Sequence, residues 1–279
     1  MLELMLPALV AALVLLSLHA YLGIHVIARG IIFVDLAIAQ MAALGWTAAT
    51  LAGFEAGSAG AYFIGLLTTL FAAGLFSVTR MDHRYITQEA IIGIVFVVAS
   101  AATILLASQA PRGAEHVEEL LTGSLLWVTW PKIARIAVIY AVLGLIHWLL
   151  RRRFLTISLQ PQLAESEGWS IRGWDFLFYA LFGIMVTLSV DVAGVLLVFS
   201  FLVIPAVVAF LFAGRPRSLL AIAWISGSVA TVAGLLVSYL ADLPTGPVVV
   251  CAFAAVLLAA FALRRLAGGK RPSASEATP

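Results

Sequence analysis

Asp35 stands inside an apolar run, IIFVDLAIAQMAALGW, with Gln40 five residues further on. A carboxylate among aliphatic side chains is costly to bury, and ionisable groups placed this way mark ion or substrate pathways. On a helix, Asp35, Ala39, Ala43 and Thr47 share a face, and Gln40 lies about 140° away from Asp35. The pair therefore need not meet a common ion. Each also has a structural reading: Asp35 as a helix cap or a partner of Arg29, Gln40 as a hydrogen-bonding group to a neighbouring helix. Asp191, in TLSVDVAGVLL, reads as the outer mouth of a pathway, or as a cap whose charge suits a helix N-terminus.

Histidines and acids elsewhere are weaker candidates. His19 and His25 are six residues apart, on different helical faces, and each reads as a packing residue or a metal ligand. His147 beside Trp148 reads as an interfacial anchor. Glu115, His116, Glu118 and Glu119 form an acidic patch with one imidazole. These residue types bind first-row metals, but a solvated loop or a docking point for an external partner fits as well. The single cysteine, Cys251, excludes an internal disulfide and a thiolate metal cluster.

No G-x-x-x-x-G-K-[ST] loop is present to cradle a nucleotide's phosphates. Neither H-E-x-x-H nor G-x-S-x-G occurs. Catalytic residues are thus not expected, and energy for any active transport must come from an ion gradient or a separate ATPase.

The elements that position these residues are long apolar segments. Of 279 residues 63% are hydrophobic and 11% charged, and the mean hydropathy is +1.11. A bilayer core about 30 Å thick needs about 20 apolar helical residues to cross it. Candidate spans run over Met5–Ala28, Ile31–Gly53, Gly57–Thr79, Glu89–Ser108, Ile133–Leu150, Trp174–Val190, Val192–Phe212, Leu219–Leu240 and Val248–Leu263. Lipid offers no partner for an open backbone group, so the spans must be helical. The expected fold is an all-α, polytopic membrane bundle of eight or nine helices, the 174–212 stretch being the one that is hard to divide. Residues 1–265 are expected to form one transmembrane domain and 266–279 a disordered cytoplasmic tail, since GGKRPSASEATP lacks bulky residues. The beginning of the chain lacks a basic region and a small-residue cleavage site, so it reads as a first span.

Arg29, then Arg80 and Arg84, Arg151 to Arg153, Arg215 and Arg217, and Arg264 and Arg265 fall at alternate span ends. The positive-inside tendency makes those ends cytoplasmic, with the N-terminus outside and the C-terminus inside. Lys132 and Arg135 break the pattern, which suggests that 118–130 re-enters the membrane. The pI of about 8.9 follows from this loop bias, and the scattered charges argue against nucleic-acid binding. Ser226, Ala230, Gly234 and Ser238 recur every four residues, as do Ala61 and Gly65, for close helix packing inside the bundle or for dimerisation. Pro205 in mid-span is expected to kink its helix.

After Arg151–Arg153 comes FLTISLQPQLAESEGWSIRGWD, amphipathic and mildly acidic. Proline suits a helix start and glycine a helix end, which predicts a short helix over Pro161–Glu167 stopped by Gly168. Such a helix is a handle for a partner, or a surface element with none.

With these segments the chain resembles a family. VIARGIIFVDLAIAQMAALG, EAIIGIVFVVASAATILL, AEHVEELLTGSLLWVTW, QPQLAESEG and VAGVLLVFSFLVIPAVVAFLFA are similar to the membrane subunits of ABC importers for zinc, manganese and iron, over residues 5 to 265. The resemblance implies a bacterial inner-membrane permease that homodimerises within membrane lipid and binds two copies of a cytoplasmic ABC ATPase. An extracytoplasmic metal-binding protein would deliver the transported divalent metal. This chain itself would bind no resident cofactor, with ATP held on the partner subunit. Pro161, Gln162, Leu163, Ala164, Glu165, Ser166, Glu167 and Gly168 would form the ATPase-coupling loop. Many relatives carry an Asp-x-x-x-His pair early in the second span; here those positions are Leu36 and Gln40. Glutamine is a poor zinc ligand beside imidazole, so selection would rest in the external protein. Asp35, Gln40 and Asp191 are the expected polar groups along the pathway, with Asp35 and Gln40 the candidate metal contacts. A gradient-driven secondary transporter of a small solute or ion, and a membrane-embedded enzyme or assembly factor, are the alternative classes.

Overall fold

Short capping signals divide the apolar runs into helices. In the computed structural model, which describes residues 2–55, 57–80, 86–109 and 113–266, every regular element is helical. The order begins with α1 (Leu2–Arg29), α2 (Val34–Leu51), α3 (Ala59–Val78), α4 (Gln88–Ala107) and α5 (Gly113–Thr122). After a 3-10 turn at Leu125–Trp127 follow α6 (Trp130–Leu149), α7 (Arg151–Leu159), α8 (Pro161–Ser166), α9 (Ile171–Phe212), α10 (Pro216–Ala241) and α11 (Thr245–Leu266). Ser58 and Thr87 cap α3 and α4, their hydroxyls accepting from the amides of Ala61 and Ala90. Pro161 and Pro216 each occupy the first turn of a helix, where the missing N–H has no intrahelical acceptor to lose.

Eight of the described helices are long and apolar enough to cross a membrane. The expected spans Trp174–Val190 and Val192–Phe212 both fall in α9, whose 42 residues would extend about 63 Å, twice a bilayer core. Its backbone leaves helical geometry at Gly194 (φ 73°, ψ 161°) and not at Pro205, the residue expected to kink it. The cause is a contact. A Cβ on Gly123 would collide with the carbonyl carbon of Ala193, and one on Gly194 would meet Leu121 O at 2.6 Å. Both glycines have positive φ, so two bare backbones meet where side chains could not fit.

The chain divides into two compact units. The first comprises residues 1–27, 124–140 and 196–279. Here Gly23 packs directly on the Leu202 carbonyl, Gly227 on Leu16, and Gly234 on Val249. Ala230 and Ser238 are buried with Gly234, so these three positions of the small-residue face of α10 pack internally, while Ser226 is half-buried. The second unit comprises 28–123 and 141–195. In it α2 lies against α3 and α4, approaching α3 through Gly45, which faces Gly65 and Thr68. Phe76, Phe154, Phe178, Tyr179 and Phe182 form a fully buried aromatic core.

One expectation is corrected. His147 is buried, its ring centroid 4.8 Å from that of Phe154 and 6.0 Å from that of Phe178. Its neighbour Trp148 is the exposed residue of the two, under the Arg151 guanidinium at 4.7 Å. Residues 151–159, for which the sequence predicts no element, are helical because Phe154, Ile157 and Ser158 give α7 a buried side. Residues 118–130 fold as the end of α5, a turn at Gly123 and the 3-10 turn. α11 runs through Leu266; the remainder of the expected tail, and Arg84, lie outside the described residues.

Candidate functional site

Asp35 enters the second turn-forming position of α2, behind an N-cap residue, Phe33, that supplies no side-chain cap. It is 1% exposed, and neither carboxylate oxygen has a hydrogen-bond partner. Both structural readings of Asp35 are therefore set aside: it caps nothing, and Arg29 pairs elsewhere. A buried carboxylate without donors costs several kcal/mol, on the order of a lost charged hydrogen bond or more. Gln40 is also buried, because α2 is covered on most of its circumference by neighbours. Asp191 is half-buried in α9, three residues before the break at Gly194.

These groups do not form a metal cage. Among the described residues no three of His, Cys, Asp and Glu converge on a point that could hold a metal ion. His19 is buried, its Nδ1 2.7 Å from Leu15 O, with the rings of Tyr140 and Phe201 beside it. His25 meets Tyr21 edge-on at 4.7 Å. Glu115 and Glu118 are exposed on α5; the side chains of His116 and Glu119 lie outside the described residues.

The ionic centre that sequence reading missed is Asp175. Fully buried, it accepts from Nη1 of Arg29 at 2.8 Å on Oδ1 and from Nη1 of Arg80 at 2.6 Å on Oδ2. Arg29 also donates from Nε to Ser158 Oγ at 2.7 Å and stacks on Phe178 at 4.0 Å. Its side chain is 4% exposed and that of Arg80 27%. One carboxylate thus ties the end of α1, the residue after α3's cap and the start of α9. The available signal was a lone acid, in GWDFLF, near arginine-rich span ends that need counter-charge.

Next to this centre lies the 161–168 segment, where the sequence placed a helix. α8 ends in a Schellman motif: Gly168, at φ +71°, donates to Glu165 O at 3.0 Å, and Trp169 donates to Ala164 O at 3.1 Å. Ala164 is buried, whereas Gln162, Leu163, Glu165, Ser166 and Glu167 face outward, Leu163 with 44% of its surface exposed. Arg153 of α7 stacks on Trp169 at 4.0 Å and reaches Trp174 at 5.5 Å.

A membrane-spanning helical chain with a protruding polar-and-leucine helix suits a transport subunit, and comparison with known proteins fixes which kind. The model of the ABC 3 transport family matches residues 1–264. The chain belongs to that family. It is 27% identical over 242 residues to the chelated iron transport system membrane protein YfeC of Yersinia pestis, covering 87% of this chain and 80% of that one. To the high-affinity zinc uptake system membrane protein ZnuB of Haemophilus influenzae it is 26% identical over 269 residues, covering 95% and 100%. A chain of PsaBC from Streptococcus pneumoniae, solved in complex with Fab, shares the fold at a TM-score of 0.77, with 22% identity over 94% of each chain. YfeC and ZnuB are membrane proteins of transport systems, and this chain is a multi-pass subunit of the same kind.

Proposed function

We propose that this chain is the permease subunit of an ATP-binding-cassette importer for divalent metal ions (zinc, manganese or iron), in a bacterial inner membrane. Family membership over almost the whole chain supports the class, and the names of relatives handling zinc and chelated iron support the cargo. The observation that carries the reading is α8, an outward-facing helix on a chain with no phosphate-binding loop of its own. A separate ATPase engages residues 161–168, and ATP binding and hydrolysis there move the helix. Two copies of the permease rock against each other, so that a path between them opens to alternate sides. The two units, with all their helices, serve as one transmembrane domain, followed by a cytoplasmic tail.

An external binding protein delivers the ion, and Asp35, Gln40 and Asp191 lie along its path. Asp35 offers two oxygens with no internal donor to satisfy, as suits a transient cation contact, and Gln40 adds a carbonyl oxygen. With Leu36 and Gln40 in the family's Asp and His positions, the choice of metal rests mainly with the external protein. Sidedness follows from the arginines: Arg29 and Arg80 close different spans yet reach one carboxylate, as two ends on the same membrane face must. That face is cytoplasmic, which sets the N-terminus outside and the C-terminus inside.

Co-purification tests the reading. The tagged chain is expected to bring down its ATPase, and a chain lacking residues 161–168 to remain in the membrane without it. Retention of the ATPase by the shortened chain would refute the coupling role.

A further inference from the structure

Residues 151–169 behave as one block. α7 passes into α8 through the single residue Gln160, and the stacking of Arg153 on Trp169 closes the far end of α8 back onto α7. The block is bonded to the end of α1 through Arg29, which donates from Nε to Ser158 Oγ at 2.7 Å, two residues before α8's connector. Beyond Arg29 the chain turns at Gly30, which has φ +66° and nothing within 4 Å of where its Cβ would lie. The turn is then pinned to α4, the Phe33 amide donating to Glu89 Oε1 at 3.0 Å. α2 starts one residue later, with Asp35 at its second position.

We propose that Arg29 is a positioning residue that couples the 151–169 block to the start of α2, with the Ser158 hydroxyl as its removable link. The inference rests on the proposed ATPase-driven function and adds to it a physical connection from the driven helix to the candidate ion contact. Displacement of α8 carries Ser158, Ser158 carries the Arg29 guanidinium, and the glycine turn lets that motion reorient the first turn of α2. Asp175, on α9 and outside the block, holds the other edge of the guanidinium, which keeps Nε turned toward Ser158. Direct hydrogen bonds, and not mere proximity, make the connection.

The test uses the complete transporter, permease with its ATPase and external binding protein, in liposomes, with zinc(II) and manganese(II) as probe ions. Ser158→Ala removes one acceptor and leaves the Arg29–Asp175 ion pair in place; Ser158→Thr keeps a hydroxyl. The expected result for Ser158→Ala is ATP hydrolysis near the parent rate with ions moved per ATP reduced about five- to tenfold, and recovery in Ser158→Thr. An unchanged ratio of ions to ATP in Ser158→Ala, including the case where both rates fall together through lost protein, would overturn the inference alone. Absence of ATP-dependent uptake of both ions by the parent would overturn the proposed function, and this inference with it.

Discussion

Nη1 of Arg29 and Oδ1 of Asp175 lie 2.8 Å apart, joining residues 146 positions distant in the chain where almost no water reaches. The second oxygen of Asp175 is taken by Arg80. The cluster carries one more positive charge than negative, so its stability hinges on the carboxylate.

Asp175→Ala would leave Arg29 buried without an anion. Breaking a buried pair from one side costs about 3–5 kcal/mol, and the variant is expected to lose thermal stability in detergent and yield in membranes. Arg80→Ala removes the more exposed arm and leaves Asp175 paired, so about 1–2 kcal/mol is expected. Equal losses in the two variants would contradict this ranking, and thermal unfolding of the purified chains measures it.

Asp35→Leu is expected to separate stability from activity. Removing a buried carboxylate that has no donors relieves its desolvation, raising stability by about 1–3 kcal/mol, while ion uptake by the complete transporter falls at least about tenfold, as loss of a charged contact implies. Melting temperature and uptake measured on the same preparation decide it. A variant that transports every candidate ion at the parent rate would remove Asp35 from the pathway.

The glycines at the break and at the end of α8 should respond differently. Gly168→Ala meets open space and costs only the left-handed backbone penalty, about 1–2 kcal/mol. Gly194, at φ 73° and ψ 161°, sits in a region essentially reserved for glycine, and a Cβ there also strikes the backbone of residues 121–123, so the loss in Gly194→Ala is expected to exceed that of Gly168→Ala by about 1–3 kcal/mol. Melting curves of the two variants make the comparison.

How far the sequence discloses this molecule depends on whether the deciding contact is local. Spans are legible because lipid demands about 20 apolar residues from each helix on its own. α8 is legible for the same reason: Pro161 and Gly168 act on their own neighbours. Asp175 is not, since its partners Arg29 and Arg80 are 146 and 95 residues away and no periodicity links them. Pro205 is the obvious breaker of α9, yet the break belongs to Gly194, because Gly123 arrives there from another part of the chain. Likewise His147 looks interfacial beside Trp148 until Phe154 and Phe178 cover it. For Asp35 the burial was readable from its run; that Arg29 would be committed elsewhere was not.

The central claim, that a partner's ATP hydrolysis drives ions through this chain, is tested most directly by uptake into liposomes. The permease is reconstituted alone or with its ATPase and external binding protein, and zinc(II) and manganese(II) entry is followed with and without ATP. Uptake of at least one ion is expected only when ATPase, binding protein and ATP are all present, and none for the chain alone. Uptake by the chain alone on a proton or sodium gradient, without nucleotide, would contradict it.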